Sequence, residues 1–226
     1  MIFKTFFICL LLGLLSISSS VNSDKKIKYV ALGDSYTICE GAKEDQAWPT
    51  ILAKDLTDNG VTVELVANPS RTGWTTEDLI DNELQICEQN KPDFVTLLIG
   101  VNDWVQQVDI ETYHRRLIFI IDKVEALLPN KKNLLLVTIP DFGVTPTGAM
   151  YSGGRDITEG IKKFNSIIVE EAKKRNLETV DVFPETQKMK GQADLIARDG
   201  LHPSAKEYAI WEKMIYPFAL KLLKSK

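Results

Sequence analysis

A serine hydroxyl is a poor nucleophile until a base takes its proton, and imidazole titrates close to working pH. The sequence offers that pair in Ser35 and His202. Ser35 ends the run Ala31-Leu32-Gly33-Asp34-Ser35, where an apolar stretch stops at a glycine. Asp199 precedes His202 by three residues. In a tight loop that spacing lets a carboxylate reach the far ring nitrogen, fix the tautomer and stabilise the imidazolium. Each group alone also has a plain structural reading. Gly33, Asp34 and Ser35 are all turn formers, Asp199-Gly200 reads as a turn, and His202 sits close to a helix start. The other histidine, His114, lies among Tyr113, Arg115 and Arg116 on a predicted helix and reads as part of a solvated face.

Acyl transfer also needs donors aimed at the developing oxyanion. The Ser35 amide is one candidate. Gly73 is a second, because glycine lets backbone approach a substrate closely. The Asn102 side-chain amide is a third. Losing one such donor typically costs about 10²–10³ in rate. Gly73 also reads as a loop glycine, and Asn102 as a strand-end turn with Asp103 capping a helix. Trp74 and Trp104 stand beside two of these residues, and Phe142 opens a later loop. These three are the candidate substrate-binding aromatics. They can stack on sugar rings, line an acyl pocket or pack inward.

The elements that must position these residues alternate along the chain. Strands are predicted at Ile27 to Leu32, Val61 to Ala67, Phe94 to Ile99, Leu134 to Ile139 and Val180 to Phe183. The third is a continuous apolar run of the kind a central parallel strand shows. Helical spacing is predicted at about Trp48 to Asp58, Thr76 to Gln89, Ile110 to Leu128, Ile157 to Arg175 and Ser204 to Leu222. Connections of this length between strands require parallel pairing with right-handed crossovers. The expected fold class is α/β: a three-layer α/β/α sandwich with roughly five parallel strands, flavodoxin-like in outline. Ser35, Gly73, Asn102 and His202 then all follow strand ends, where open α/β sheets place their ligands. The loop from Asp141 to Arg155 leaves the fourth strand beside the same crevice. Its glycines suggest movement and its place suggests control of specificity.

The chain-wide properties exclude several classes. With 44% hydrophobic and 26% charged residues the composition is that of a globular protein. A formal charge of −4 gives no basic footprint, so no nucleic-acid partner is expected. No Cys/His cluster has metal-ligand spacing, and neither a metal nor a cofactor is expected. Residues 1–23 read as a secretory signal peptide, with Lys4, an apolar run Thr5 to Ile17 and a small polar stretch Ser16 to Ser23. An uncleaved anchor is the alternative reading. The expectation is therefore an exported, periplasmic or secreted protein without stable membrane insertion, a monomer, with residues 24–226 as one domain. Cys39 and Cys87 can pair in an oxidising compartment, although two cysteines make no disulfide framework.

Taken together, Ala31 to Thr37, Asn68 to Thr75, Gly100-Val101-Asn102-Asp103 and Asp199-Gly200-Leu201-His202-Pro203 resemble the ordered blocks of the SGNH hydrolase superfamily, the GDSL lipases and esterases. Small bacterial exported members also show something like Ile139-Pro140-Asp141-Phe142-Gly143. Tyr36 stands where Gly-Asp-Ser-Leu has leucine, and Cys39 where relatives often have glycine. The resemblance implies an ester-hydrolysing enzyme that forms an acyl-enzyme on Ser35. It implies Asp199 and His202 as acid and base, and Ser35, Gly73 and Asn102 as the oxyanion hole. The implied substrate is a small-molecule carboxylic ester, thioester or lysophospholipid, with carbohydrate O-acetyl esters as the alternative. A non-catalytic carbohydrate- or lipid-binding module is a third reading.

Overall fold

The structure, a computed structural model, describes residues 26–224. The signal segment read at 1–23 lies outside the described residues. In chain order the elements are β1 (Ile27–Gly33), α1 (Ser35–Ile38), α2 (Trp48–Asp58), β2 (Val63–Ala67), α3 (Thr76–Asp78), a π-helical turn (Leu79–Glu83), α4 (Leu84–Asn90), β3 (Phe94–Leu98), α5 (Val101–Val105) and α6 (Ile110–Leu127). They continue with β4 (Leu134–Val137), α7 (Ile157–Arg175), β5 (Glu178–Val180), α8 (Phe183–Thr186) and α9 (Ala205–Lys224). The strands are all parallel and lie in the order β2-β1-β3-β4-β5. The α/β class and the five-stranded parallel sheet are those read from the sequence.

This strand order leaves a switch point between β1 and β3, because β1 connects outward to one side and β3 to the other. Ligands of open α/β sheets bind outside the carboxyl ends of strands at such a point. The register aligns the two ends, with Gly33 opposite Leu98. β3 is buried throughout, and β1 is buried from Tyr29 onward. The one polar side chain within β3, Thr96, is matched by the Tyr29 hydroxyl at 2.7 Å. The helices cover both faces: α2 packs with α9 on one, and α4 and α7 each pack with α6 on the other.

Two sequence expectations change beyond small boundary shifts, and the open question of Cys39 and Cys87 is answered. The fifth strand is Glu178–Val180 and not Val180 to Phe183. The chain turns at Asp181, whose carboxylate accepts from Thr138 Oγ1 (2.8 Å) and from the Phe183 amide (3.2 Å). Val182 and Phe183 are apolar because they enter the core, not because they extend the sheet. His114 is no solvated-face residue: its Nε2 lies 2.9 Å from Glu171 Oε1, so it ties α6 to α7. Cys39 and Cys87 are unpaired and buried in separate places, and burial holds both thiols far above their usual range. Cys39 ends α1 in the left-handed region, φ 62°, ψ 54°, where glycine carries no Cβ penalty.

Helix α9 carries two carboxyl groups inward. Burial pushes Glu207 up to about 7, against the opposing hydrogen bond from Trp211 Nε1. Burial and the nearby Asp55 push Glu212 up to about 7. Near Ser35, burial raises Asp34 to about 8, opposed by the Tyr36 amide and reinforced by Asp103. All three titrate higher in the folded chain than in the unfolded one. Their contribution to stability is complete below the ordinary carboxylate range and is lost as pH rises through about 7 to 8. The thermal midpoint should therefore be lower at pH 8.5 than at pH 5, and Glu212→Gln should flatten that slope. A midpoint that rises steadily over this interval would contradict the assignment.

Candidate active site

β1 ends against β3 so tightly that Gly33 admits no side chain. A Cβ there would lie 2.2 Å from the Leu98 carbonyl oxygen and 2.2 Å from Thr37 Oγ1. The chain then turns sharply into α1. Asp34 braces that turn: its Oδ1 accepts the Tyr36 amide at 3.0 Å. The Gly33 amide donates to Glu83 Oε2 at 3.0 Å, from the π-helical turn. Ser35 is thereby fixed as the first residue of α1, at the carboxyl end of β1.

The turn that carries Asp199 and His202 is held from outside. The Ala197 amide donates to the His202 carbonyl at 2.8 Å, and Ile196 bridges Pro203 in antiparallel fashion. Asp199 Oδ1 accepts the amides of Leu201 (2.8 Å) and His202 (3.0 Å), and its Oδ2 lies 2.7 Å from His202 Nδ1. Partial burial works upward on the Asp199 carboxyl, but these contacts outweigh it and hold the group below its usual range. An ionised carboxylate only accepts, so Nδ1 carries the proton and the neutral ring keeps its lone pair on Nε2. On its other flank the His202 ring meets Tyr36 edge-on, with centroids 5.7 Å apart. Tyr36 in turn rests near Trp211 of α9.

Gly73 and Asn102 come from the loops after β2 and β3. Gly73 sits at φ +86°, a conformation that strains any other residue. Asn102 belongs to α5, and its Nδ2 donates to the Trp74 carbonyl at 2.9 Å. One of its two amide hydrogens is used there and the other is left over. Asp103 is not a helix cap. It is buried and accepts the Thr76 amide at 2.8 Å as well as the Thr76 hydroxyl. It thus locks α5 to the helix that follows the Gly73 loop.

Ser35, Gly73, Asn102 and His202 line a single cavity of about 160 Å³, together with Tyr36, Thr72, Val101, Val105, Phe142, Tyr151 and Leu201. Asp199 stands behind His202. Every polar residue singled out from the sequence for this chemistry is brought to one place.

The cavity gathers the residue types that acyl transfer needs, and the sequence comparison bears on what the chain is. Residues 31–210 match the GDSL-like lipase/acylhydrolase family. The chain belongs to that family. It is therefore an ester-hydrolysing enzyme. The fold of this GDSL-like hydrolase is similar to that of a lipase/acylhydrolase from Enterococcus faecalis, at 24% identity and TM-score 0.71, over 88% of this chain and 98% of that one. It is similar to the esterase EstA from Pseudoalteromonas sp., solved inhibited by monoethylphosphonate, at 21% identity and TM-score 0.67, over 88% and 100%. It is also similar to a family 3 carbohydrate esterase from Clostridium thermocellum, at 22% identity and TM-score 0.71, over 89% and 98%. No curated protein matches the chain in sequence.

Of the three aromatics expected at the substrate, only Phe142 lines the cavity of this GDSL-like hydrolase. Trp74 is half-buried, gives its carbonyl to Asn102 and lies outside the lining. Trp104 is buried behind the wall, edge-on to Phe142 at 5.7 Å. Its indole lies against Gly160 of α7, where a Cβ would fall 1.9 Å from Nε1. In an ordinary helix interior Gly→Ala stabilises by about 1 kcal/mol. Here Gly160→Ala should destabilise by about 1–3 kcal/mol, as overpacking does, measured by chemical denaturation. A gain in stability would show that Trp104 moves aside freely.

The sequence reading missed Tyr151, Glu83 and Arg155, and gave Asp103 a cap's role in place of its bond to Thr76. Glu83 had a signal: it falls four residues from both Leu79 and Cys87, on the buried face of its segment. Arg155 had none, since a cation closing a glycine-rich loop looks like any solvated charge.

No helix among the described residues is long and apolar enough to cross a membrane.

Proposed function

We propose that the protein is a serine esterase for carboxylic esters with short acyl groups, acting through an acyl-enzyme on Ser35. The cavity carries this reading. It joins Ser35 and His202 to a largely apolar wall of Val101, Val105, Phe142 and Leu201, in about 160 Å³. A cavity of about that size holds a benzene-sized group, which favours a small acyl group beside Ser35. His202 Nε2 takes the proton from Ser35 Oγ as the oxygen attacks the ester carbonyl. The Ser35 and Gly73 amides and the Asn102 side chain bind the resulting oxyanion. Nε2–H then gives its proton to the leaving alcohol as the C–O bond breaks. Water, deprotonated by the same nitrogen, attacks the acyl-enzyme, and Nε2–H returns that proton to Ser35 Oγ as the Oγ–acyl bond breaks and the acid is freed. Asp199 holds the ring in the working tautomer throughout.

A second reading is a carbohydrate O-acetylesterase. The small cavity suits an acetyl group, and exposed Tyr151 at its rim gives a sugar leaving group a ring to stack on. The apolar run in residues 1–23 supports export.

A panel of aryl esters from acetate to decanoate, run beside O-acetylated sugars, tests the assignment. The expected kcat/KM peaks between acetate and butyrate. A peak at decanoate would overturn the short-acyl reading. A strong preference for acetylated sugars over the aryl acetate would select the second.

A further inference from the structure

Helix α5 presents Asn102 to the cavity, yet it has only five residues. A helix that short cannot hold its own orientation, because nucleation costs more than so few bonds return. Its orientation must come from what grips it. Asp103 grips one side through Thr76. Beside the packing of buried Trp104, a further polar grip comes from Arg155, whose three guanidinium nitrogens are all engaged by backbone carbonyls. Nη1 donates to Trp104 O at 2.6 Å and Nη2 to Val105 O at 3.1 Å, the last two residues of α5. Nε donates to Ser152 O at 2.9 Å. The guanidinium also lies 3.8 Å from the centroid of the Trp104 ring.

These contacts join two walls of one cavity. The α5 side supplies Val101, Asn102 and Val105. The other side supplies Phe142 and Tyr151, the latter on a 3-10 turn, Gly148–Tyr151, directly before Ser152. The base of the side chain is itself fixed. Asp156 caps α7 by accepting the Glu159 amide at 3.0 Å, and that nineteen-residue helix begins at the next position. A planar fork on a rigid base suits the last carbonyls of a helix, where partial negative charge gathers.

We propose that Arg155 is a positioning residue: it sets the orientation of Asn102 through α5 and fixes the spacing between α5 and the Phe142–Tyr151 wall. This rests on the reading of Asn102 as an oxyanion donor. A displacement of about 1 Å at a reacting group costs on the order of 10²-fold in rate. Arg155→Ala should therefore lower kcat on an aryl acetate by about 10- to 100-fold, with a much smaller change in KM. Because the spacing relaxes, butyrate should lose less than acetate.

The test is a double-mutant cycle with Asn102→Ala, in the full chain, with kcat, KM and thermal midpoint measured for each variant. If Arg155 acts through Asn102, the double variant is little slower than Asn102→Ala alone. Millimolar ethylguanidinium should restore part of the Arg155→Ala rate and none of the double variant's. Arg155→Lys, which cannot fork two carbonyls, should fall between wild type and alanine. It replaces alanine in the cycle if alanine does not fold. Additive losses, or a lowered thermal midpoint with unchanged kcat, would overturn the proposal. If Asn102→Ala itself loses nothing, the oxyanion reading fails instead, and the cycle shows which of the two has failed.

Discussion

His202→Ala should lower kcat on a short aryl ester by about 10⁶-fold, the scale seen when the base of such a triad is removed. Ser35 would keep its place on the turn, since that place is set by Gly33, Asp34 and Glu83 and not by the histidine. The residual rate would come from the oxyanion donors and binding. Asp199→Asn is the sharper variant. Its side-chain oxygen can still accept the Leu201 and His202 amides, so the turn survives. Its NH₂ group would then donate to Nδ1, forcing the proton onto Nε2 and leaving no lone pair for Ser35. A loss of about 10⁴ in kcat is expected from that tautomer reversal. The Asp199 side chain is 40% exposed, so stability should move by less than about 0.5 kcal/mol. Steady-state kinetics with thermal melting on both variants checks the pair. A loss of only a few-fold in His202→Ala would remove the histidine from the mechanism.

Asn102→Ala should lower kcat by about 10²–10³ with KM nearly unchanged. The amide contributes most when charge has developed on the carbonyl oxygen, so the transition state loses more than the bound ester does. The variant also loses the Trp74 carbonyl contact, which sits at a half-buried position. Asn102→Asp separates the two roles: it keeps the shape but puts an acceptor where the oxyanion forms, and should be at least as slow as alanine. An aspartate variant near wild-type rate would assign the oxyanion to other donors.

The central strands and the polar residues at their ends were legible because they follow local rules. A continuous apolar run gives a buried strand. A glycine at its end marks a sharp exit, and Asp-x-x-His needs only a tight turn to close. What was not legible depends on tertiary packing. Val182 and Phe183 carry strand-like apolarity but serve the core after the turn at Asp181. His114 has a polar neighbourhood in sequence and a carboxylate from another helix in space. For Trp104 the sequence left stacking, pocket lining and inward packing open, and packing decides it: Gly160 leaves a recess for its indole and Arg155 covers its face. The loop from Asp141 to Arg155 is tethered more than its glycines suggest. Asp141 accepts the Gly143 amide and the Thr158 hydroxyl, the Thr147 amide donates to Gly200 O, and Arg155 closes the far end. Gly148 is there for close approach, since a Cβ would fall 2.1 Å from the Phe142 carbonyl oxygen. One strap thus touches both the Asp199–His202 turn and the Asn102 helix.

The Gly-Asp-Ser turn is held on three sides: by Glu83 at the Gly33 amide, by Asp34 at the Tyr36 amide, and by Trp48 Nε1, which donates to the Tyr36 carbonyl at 2.9 Å. Such bracing suits a nucleophile that must meet a base and its own oxyanion amide without reorganising.

Whether Ser35 is that nucleophile is tested most directly by covalent labelling. The protein is incubated with an activated alkyl phosphonate, and the adduct is located by peptide mass spectrometry while activity is followed in parallel. One phosphonyl group per chain, on Ser35, appearing in step with loss of esterase activity and absent from Ser35→Ala, is the predicted result. An adduct on another residue, or a Ser35→Ala variant that hydrolyses esters at the wild-type rate, would contradict it.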